Sequence, residues 1–170
     1  MIRLAMQEDL PRIMEIVDGA VKVMNENGNE QWNQNYPLVE HYQGDLDNKE
    51  LFVYEEESLI LGAVTISTKA HSEYHLINWS FPDIDALTIK RLVISLNARK
   101  KGVSDKLFDY AELVAKESAS IYLKTDTFSK NNAAQKLFKR MGFTFVQDKF
   151  VEEKNDSLLY FEKHLGNSKT

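Results

Sequence analysis

Cysteine is absent from the 170 residues, which excludes disulfides, thiolate metal sites and any ping-pong route through a cysteine nucleophile. Nor does any apolar run approach the roughly 18 residues that a membrane span needs. The chain opens Met1-Ile2-Arg3-Leu4-Ala5 and continues into Gln7-Glu8-Asp9, a pattern unlike a signal peptide. A cytoplasmic protein with no membrane partner is expected. Broad positive charge is lacking as well. The net charge is −5 and the pI near 5.4, whereas phosphate-backbone binding wants an extended basic surface. No nucleic-acid partner is expected. Repeats, linkers and low-complexity tracts are also missing, so residues 1–165 are expected to form one domain, with a frayed tail at 166–170.

What is present is an ordinary globular composition, 43% hydrophobic and 28% charged, on a chain long enough for a substantial core. Ile2 to Ala5 reads as a short strand. Asp9 is placed to cap a helix that tolerates Pro11 in its first turn and buries Leu10, Ile13, Met14, Val17, Ala20, Val21 and Met24. A polar loop containing Gly28 follows, then a helix from Pro37 with Val39, Tyr42 and Leu46 on one side. Leu51–Glu55 and Leu59–Ser67 read as a hairpin turning at Glu56-Glu57-Ser58. A strand is expected over the second half of Lys69–Pro82, where Tyr74, Leu76 and Asn78 alternate with His75, Ile77 and Trp79. Further strands are expected at Ala86–Ser95 and Ser120–Thr125, and helices at Val103–Ser118 and Asn131–Met141, the latter closed by Gly142. Phe143–Phe150 and Ser157–Lys163 complete a strand pair. The order predicts an α/β (α+β) fold: a mixed, mostly antiparallel central sheet of about six to seven strands with helices on both faces.

The most informative stretch runs from Ala86 to Ala115, where a buried strand enters Arg99-Lys100-Lys101-Gly102-Val103-Ser104 and a helix follows. A turn that delivers free N–H groups and cations to a helix N-terminus suits a phosphate or pyrophosphate. A local cluster of positive charge on an acidic protein fits a compact polyanion. A solvated surface turn is the plain alternative for the same three cations.

Arg99-x-x-Gly102-x-Ser104 after a buried strand, followed by Asn131, Ala134, Leu137, Phe138, Gly142 and Phe143, resembles two motifs of the GNAT superfamily of N-acetyltransferases, in order and at the right separation. The element order from Ile2 to about Lys163 is similar too. The resemblance implies acetyl-coenzyme A as co-substrate, with no metal. The turn amides, over Arg99, Lys100, Lys101, Gly102, Val103 and Ser104, would hold the cofactor's pyrophosphate. The backbone of Leu92, Val93 and Ile94 would pair with the pantetheine arm, and Asn131 would reach the cofactor from the next helix. It further implies acetyl transfer to a primary amine by direct attack in a ternary complex, with a strand amide near Val93 polarising the thioester carbonyl. The alternative is a coenzyme A-binding sensor that has lost turnover. Two departures bear on catalysis: Phe138 stands where many members carry a proton-donating Tyr, and Thr88 falls where a Glu base is common. Catalytic residues therefore stay unassigned.

Trp32, Tyr36, Tyr74 and Trp79 are candidates for an acceptor wall, or for aromatics that pin loops to the core. Glu55, Glu73 and Asp85 are candidate bases. His71 and His75 lie four apart around Glu73, but the glutamate is not adjacent to the first histidine as a zincin needs. No metal site is expected. Asp105 sits in the first turn of its helix, where a carboxylate stabilises the dipole. The acceptor, a small-molecule amine or a peptide or protein amine, is left open, as is the choice between monomer and homodimer.

Overall fold

Leu51–Glu56 and Leu59–Ser67 form β2 and β3, a hairpin closed at Glu57 and Ser58, both in the left-handed region. Strand side chains alternate between faces, and here both faces are covered. Phe52, Tyr54, Val64 and Ile66 enter one core, while Leu51, Val53, Ile60 and Ala63 enter the other. That double burial explains why β2 and β3 read as near-continuous apolar runs.

The computed structural model describes residues 1–166. The sheet is completed by β1 (Ile2–Leu4), β4 (Leu87–Ile94), β5 (Tyr122–Phe128), β6 (Thr144–Val151) and β7 (Asp156–His164), in the order β1-β2-β3-β4-β5-β7-β6. Every neighbouring pair is antiparallel except β4–β5, which is parallel. Four α-helices flank it. α1 (Leu10–Glu26) and Tyr42 of α2 (Val39–Asp47) pack in one core; α3 (Val103–Glu117) and α4 (Asn132–Arg140) pack in the other. This is the seven-stranded mixed sheet with helices on both faces that the sequence predicts. No helix among the described residues is long and apolar enough to cross a membrane.

Three local expectations differ. Asp9 does not cap α1; its carboxylate turns back to accept from the Met6 amide at 2.7 Å and to pair with Arg3 at 2.8 Å. The strand expected late in Lys69–Pro82 is not formed. Ser72–Leu76 is a 3-10 helix, and Tyr74, Ile77 and Trp79 sink together against Tyr160 of β7. Side chains there take over the backbone accounting that a neighbouring strand would provide. Gln147 accepts from the Asn78 amide and Glu162 from that of Ser80, while the Trp79 indole donates to the Tyr74 carbonyl at 2.7 Å. Finally, β5 runs on to Phe128, three residues past its expected end. The frayed tail expected at 166–170 lies, beyond Gly166, outside the described residues.

Candidate active site

The site begins where the sheet comes apart. β4 and β5 pair only at Leu87 with Leu123 and Thr88 with Lys124; beyond that point the parallel ladder stops. The Thr125 hydroxyl donates to the Ile89 carbonyl at 2.9 Å, the last stitch before the strands diverge. On the other side of β4 the register against β3 slips between Ala63 and Thr65, so that Arg91 and Leu92 together face Val64. This is a β-bulge, which bends a strand and re-aims its side chains. Leu87 and Ile89 face the α3/α4 core before it; Leu92 and Ile94 face that core after it. The adjacent polar residues Lys90-Arg91 in Leu-Thr-Ile-Lys-Arg-Leu-Val-Ile are its trace in the sequence.

Arg91 holds the bulge in a left-handed conformation (φ 54°), which costs a non-glycine residue on the order of 1–2 kcal/mol. Its guanidinium forms a two-pronged pair with Asp45 of α2, at 2.7 and 2.6 Å, and donates to the Tyr36 hydroxyl at 3.0 Å. Both charged side chains are less than a tenth exposed. Burial disfavours the Arg91 charge, but Asp45 more than offsets this and keeps the guanidinium protonated. The Tyr42 hydroxyl donates to the Arg91 carbonyl at 3.2 Å, and Thr65 donates to Asp45 at 2.6 Å. The bulge is therefore clamped from beneath by groups whose buried polar atoms all have hydrogen-bond partners.

Above the clamp lies a cavity of about 350 Å³, bordered by Ile89 to Leu92 of β4 and Thr125 to Phe128 of β5. Trp32, Tyr36, Tyr74 and Tyr160 form aromatic walls, and Phe108, Ala134 and Phe138 close the side beneath α3 and α4. The polar corner holds Asp126, His71 and Glu73. The Tyr74 hydroxyl donates to Asp126 at 2.6 Å. Burial pushes the Asp126 carboxyl up; the Tyr74 hydrogen bond and His71 oppose this only in part. Burial pushes His71 down, with Lys90 and Arg91 adding to the effect, so the imidazole favours its neutral form. Burial and the nearby Asp126 and Glu73 raise Tyr160 to about 12.

Past the end of β4 the chain makes a 3-10 turn over Leu96–Ala98 and reaches the basic turn. Arg99, Lys100 and Lys101 are all exposed, Lys100 is left-handed (φ 69°), and Gly102 at the N-cap of α3 is left-handed too (φ 76°). Gly102 meets that conformation without a Cβ penalty, and open space lies where its Cβ would be. No side chain caps α3, so its first amides point outward unpartnered by the helix itself. A second close approach occurs at Gly62, where a Cβ would stand 2.9 Å from Ile94 and 3.1 Å from Val103. That absence lets the start of α3 settle against β3 and β4. Asp105 is paired with Arg140 at 2.6 Å, and this partner holds its carboxyl below the usual range.

The structure distributes the sequence candidates unevenly. Leu92 borders the cavity, Ile94 packs toward the α3/α4 core and the Val93 side chain is buried in the opposite core, leaving only its backbone to offer. The basic turn lies beyond the cavity's lining, at the exposed end of the same strand. Asn131 borders the cavity, but its Oδ1 caps α4 by accepting from the Ala134 amide at 3.1 Å. Trp32, Tyr36 and Tyr74 line the cavity; Trp79 does not, because it is buried behind Tyr74 against Tyr160. Of the candidate bases only Glu73 is present. Glu55 is tied to Arg3 at 2.8 Å on the far side of the sheet, and Asp85 is exposed outside the cavity. Thr88 is buried at the β4–β5 ladder, and Phe138 packs among Phe108, Phe143 and Phe161. No cluster of three metal-ligating side chains occurs among the described residues. Asp126 was not singled out by the sequence pattern, because it lies past the point where β5 stops looking apolar.

The chain as a whole matches known proteins. The family model of the acetyltransferase (GNAT) domain covers residues 47–145. The chain belongs to the GNAT acetyltransferase family. A Staphylococcus aureus Mu50 protein assigned as an acetyltransferase is 31% identical, with 98% of this chain and 99% of that one aligned and a TM-score of 0.76. A GNAT-family acetyltransferase from Streptococcus agalactiae is 20% identical over 98% of this chain and 96% of its own, with a TM-score of 0.83. A Salmonella typhimurium protein assigned as an acetyltransferase, solved with its cofactor acetyl-CoA, is 17% identical over 100% and 96%, at a TM-score of 0.73. Curated proteins provide no match. As a GNAT acetyltransferase, the chain is an enzyme of acyl transfer.

Proposed function

We propose that this GNAT enzyme binds acetyl-coenzyme A across the parted ends of β4 and β5 and transfers its acetyl group to a primary amine in a ternary complex, within a single domain. The observation that carries the reading is the coincidence of three features along one strand. The β4–β5 ladder ends after Thr88 and Lys124, a cavity opens beside the bulge, and an uncapped helix start follows a turn with three exposed cations. These features fit a long, thin ligand with a polyanionic end. The amides of Gly102, Val103 and Ser104 suit phosphate oxygens, and such charge-assisted bonds are stronger than neutral ones. Arg99, Lys100 and Lys101 add a local positive field. The backbone of Leu92, Val93 and Ile94, freed from β5, is open to an extended amide-bearing chain. Asn131 keeps its side-chain N–H₂ for the same ligand while Oδ1 caps α4.

When bound, acetyl-coenzyme A supplies an activated acyl group. The protein's part is to hold the amine against it, exclude water with Trp32, Tyr36 and Tyr74, and aim a bulge amide at the acyl oxygen. The test is calorimetric titration with coenzyme A, alongside thiol release from acetyl-coenzyme A over a panel of amines. Micromolar binding, lost on Gly102→Glu while the circular dichroism spectrum is kept, is expected, because the new carboxylate would crowd and repel the pyrophosphate. Wild-type affinity in a folded Gly102→Glu protein would remove the turn from the site. Tight binding without turnover on any amine would favour the sensor.

A further inference from the structure

The cofactor reading leaves the acidic corner of the cavity without a task. Asp126 comes from the middle of the sheet, half-buried, with its open surface on the cavity. The buried carboxylates of this protein are better satisfied: Asp45 and Asp9 are matched by the cations Arg91 and Arg3, and Asp156 and Glu162 each accept from three hydrogen-bond donors. Asp126 has no ion pair among the described residues, and Tyr74 alone donates to it. A carboxylate held in apolar surroundings without a cation is costly, and a ligand cation would complete it. The neighbouring rings suit an alkyl chain that ends in an ammonium group, since aromatic faces attract cations. Continuing the register of Leu87–Leu123 and Thr88–Lys124 sets Asp126 level with Lys90, one residue from the bulge.

On this basis, and resting on the acetyltransferase reading above, we propose that Asp126 receives the acceptor as a primary alkylammonium ion and takes its proton. An N–H bond breaks, an O–H bond forms on the carboxylate, and the nitrogen lone pair is freed for attack. The proton then leaves to water past His71 and Glu73, which lie at the same corner. The raised affinity of Asp126 for protons, caused by burial, makes it a stronger base than an exposed aspartate. The other charged or titratable groups around the cavity are Lys90 and Arg91 from β4, Tyr160 from β7, Tyr36 from the loop and Tyr74 itself. Lys90 donates to the Lys69 carbonyl at 3.0 Å and Arg91 is satisfied by Asp45, so neither neutralises Asp126. The alkylammonium is either a free amine or a lysine side chain, and the test separates the two.

The experiment titrates the protein, without acetyl-coenzyme A, with n-butylammonium chloride and with Nα-acetyl-lysine methylamide. Wild-type protein is expected to bind at least one, and Asp126→Asn to weaken that binding at least about tenfold, the loss of a charged hydrogen bond. Coenzyme A affinity should stay within about twofold. Preference for butylammonium assigns free amines as acceptors; preference for the lysine derivative assigns polypeptide lysines. Tyr74→Phe keeps the carboxylate but removes the donor that lowers its proton affinity, so the acid limb of kcat/KM for the amine should move to higher pH. Wild-type amine affinity in Asp126→Asn, no binding of either probe by wild type, or an unmoved limb in Tyr74→Phe overturns the assignment. Absence of coenzyme A binding counts instead against the acetyltransferase reading, and the amine titrations still decide for or against Asp126.

Discussion

Asp45→Asn isolates the clamp beneath the bulge. The substitution keeps the shape of the side chain and an oxygen for the Thr65 hydroxyl, but leaves the Arg91 guanidinium buried and unneutralised. Removing one partner of a buried pair typically costs about 3–5 kcal/mol. For a chain of this length each kcal/mol lowers the melting temperature by roughly 2–4 °C, so a drop of about 6–20 °C is expected. Thermal unfolding followed by circular dichroism at pH 7 measures it. The double variant Asp45→Leu/Arg91→Met, which removes both charges, should regain most of the loss, since desolvation offsets much of a buried pair's attraction. It should not regain turnover, because the left-handed bulge at Arg91 would have lost the contact that enforces it. A fall of less than about 2 °C for Asp45→Asn would refute the clamp. So would a double variant no more stable than the single one.

Three further outcomes follow from the site. Arg99→Ala and Lys101→Ala should weaken coenzyme A and flatten the salt dependence of its binding, since fewer paired charges remain to screen; unchanged titrations at two ionic strengths would return these residues to solvent. Phe138→Tyr should leave the Michaelis constant for acetyl-coenzyme A nearly unchanged and give neutral or slightly lower turnover, with about 1–3 kcal/mol lost if the hydroxyl stays unpaired among Phe108, Phe143 and Phe161; a large rate gain would show that a proton donor is missing. Asp126→Asn should raise the melting temperature at neutral pH. The folded-state carboxyl is raised above its unfolded value of 3.8, so its contribution favours folding below that value and is lost as pH climbs through the raised one. Melting curves should therefore separate at pH 7 and converge below about pH 4; equal curves at both would contradict the buried charge.

Where burial dictates sequence, the fold was legible. β2 and β3 are apolar on both faces, α1 and α3 carry their buried residues at helical spacing, and Gly142 ends α4 in the left-handed conformation expected of it. The basic turn stood out because cations beside a glycine have a local chemical meaning. Legibility failed where side chains face the cavity rather than a core. The strand expected to end at Thr125 in fact runs on through Asp126-Thr127-Phe128, and its polar residues Thr125, Asp126 and Thr127 line the site. The Ser72–Trp79 segment failed for a related reason. Its alternation is real, but Tyr74, Ile77 and Trp79 converge on Tyr160, 81 to 86 residues away, a partner that no local pattern announces. The pairing of Asp45 with Arg91 was equally silent, since adjacent Lys90-Arg91 marks the bulge but nothing in the sequence marks its partner on a distant helix.

The short seam between β4 and β5 has a mechanical meaning. Among the described residues, Leu87–Thr88 against Leu123–Lys124 is the one backbone ladder joining β1–β4 to β5–β7–β6, whereas β5 is laddered to β7 along its whole length from Tyr122 to Phe128. A single drawn sheet thus behaves as two plates on a narrow hinge, with α3 packed under both. Local opening follows the weakest joint, so slow amide exchange should divide the protein at this line, each plate protected as its own block. A ligand lodged between the plates acts as a crossbar. It turns two cooperative blocks into one, and by mass action its affinity reappears as resistance to heat.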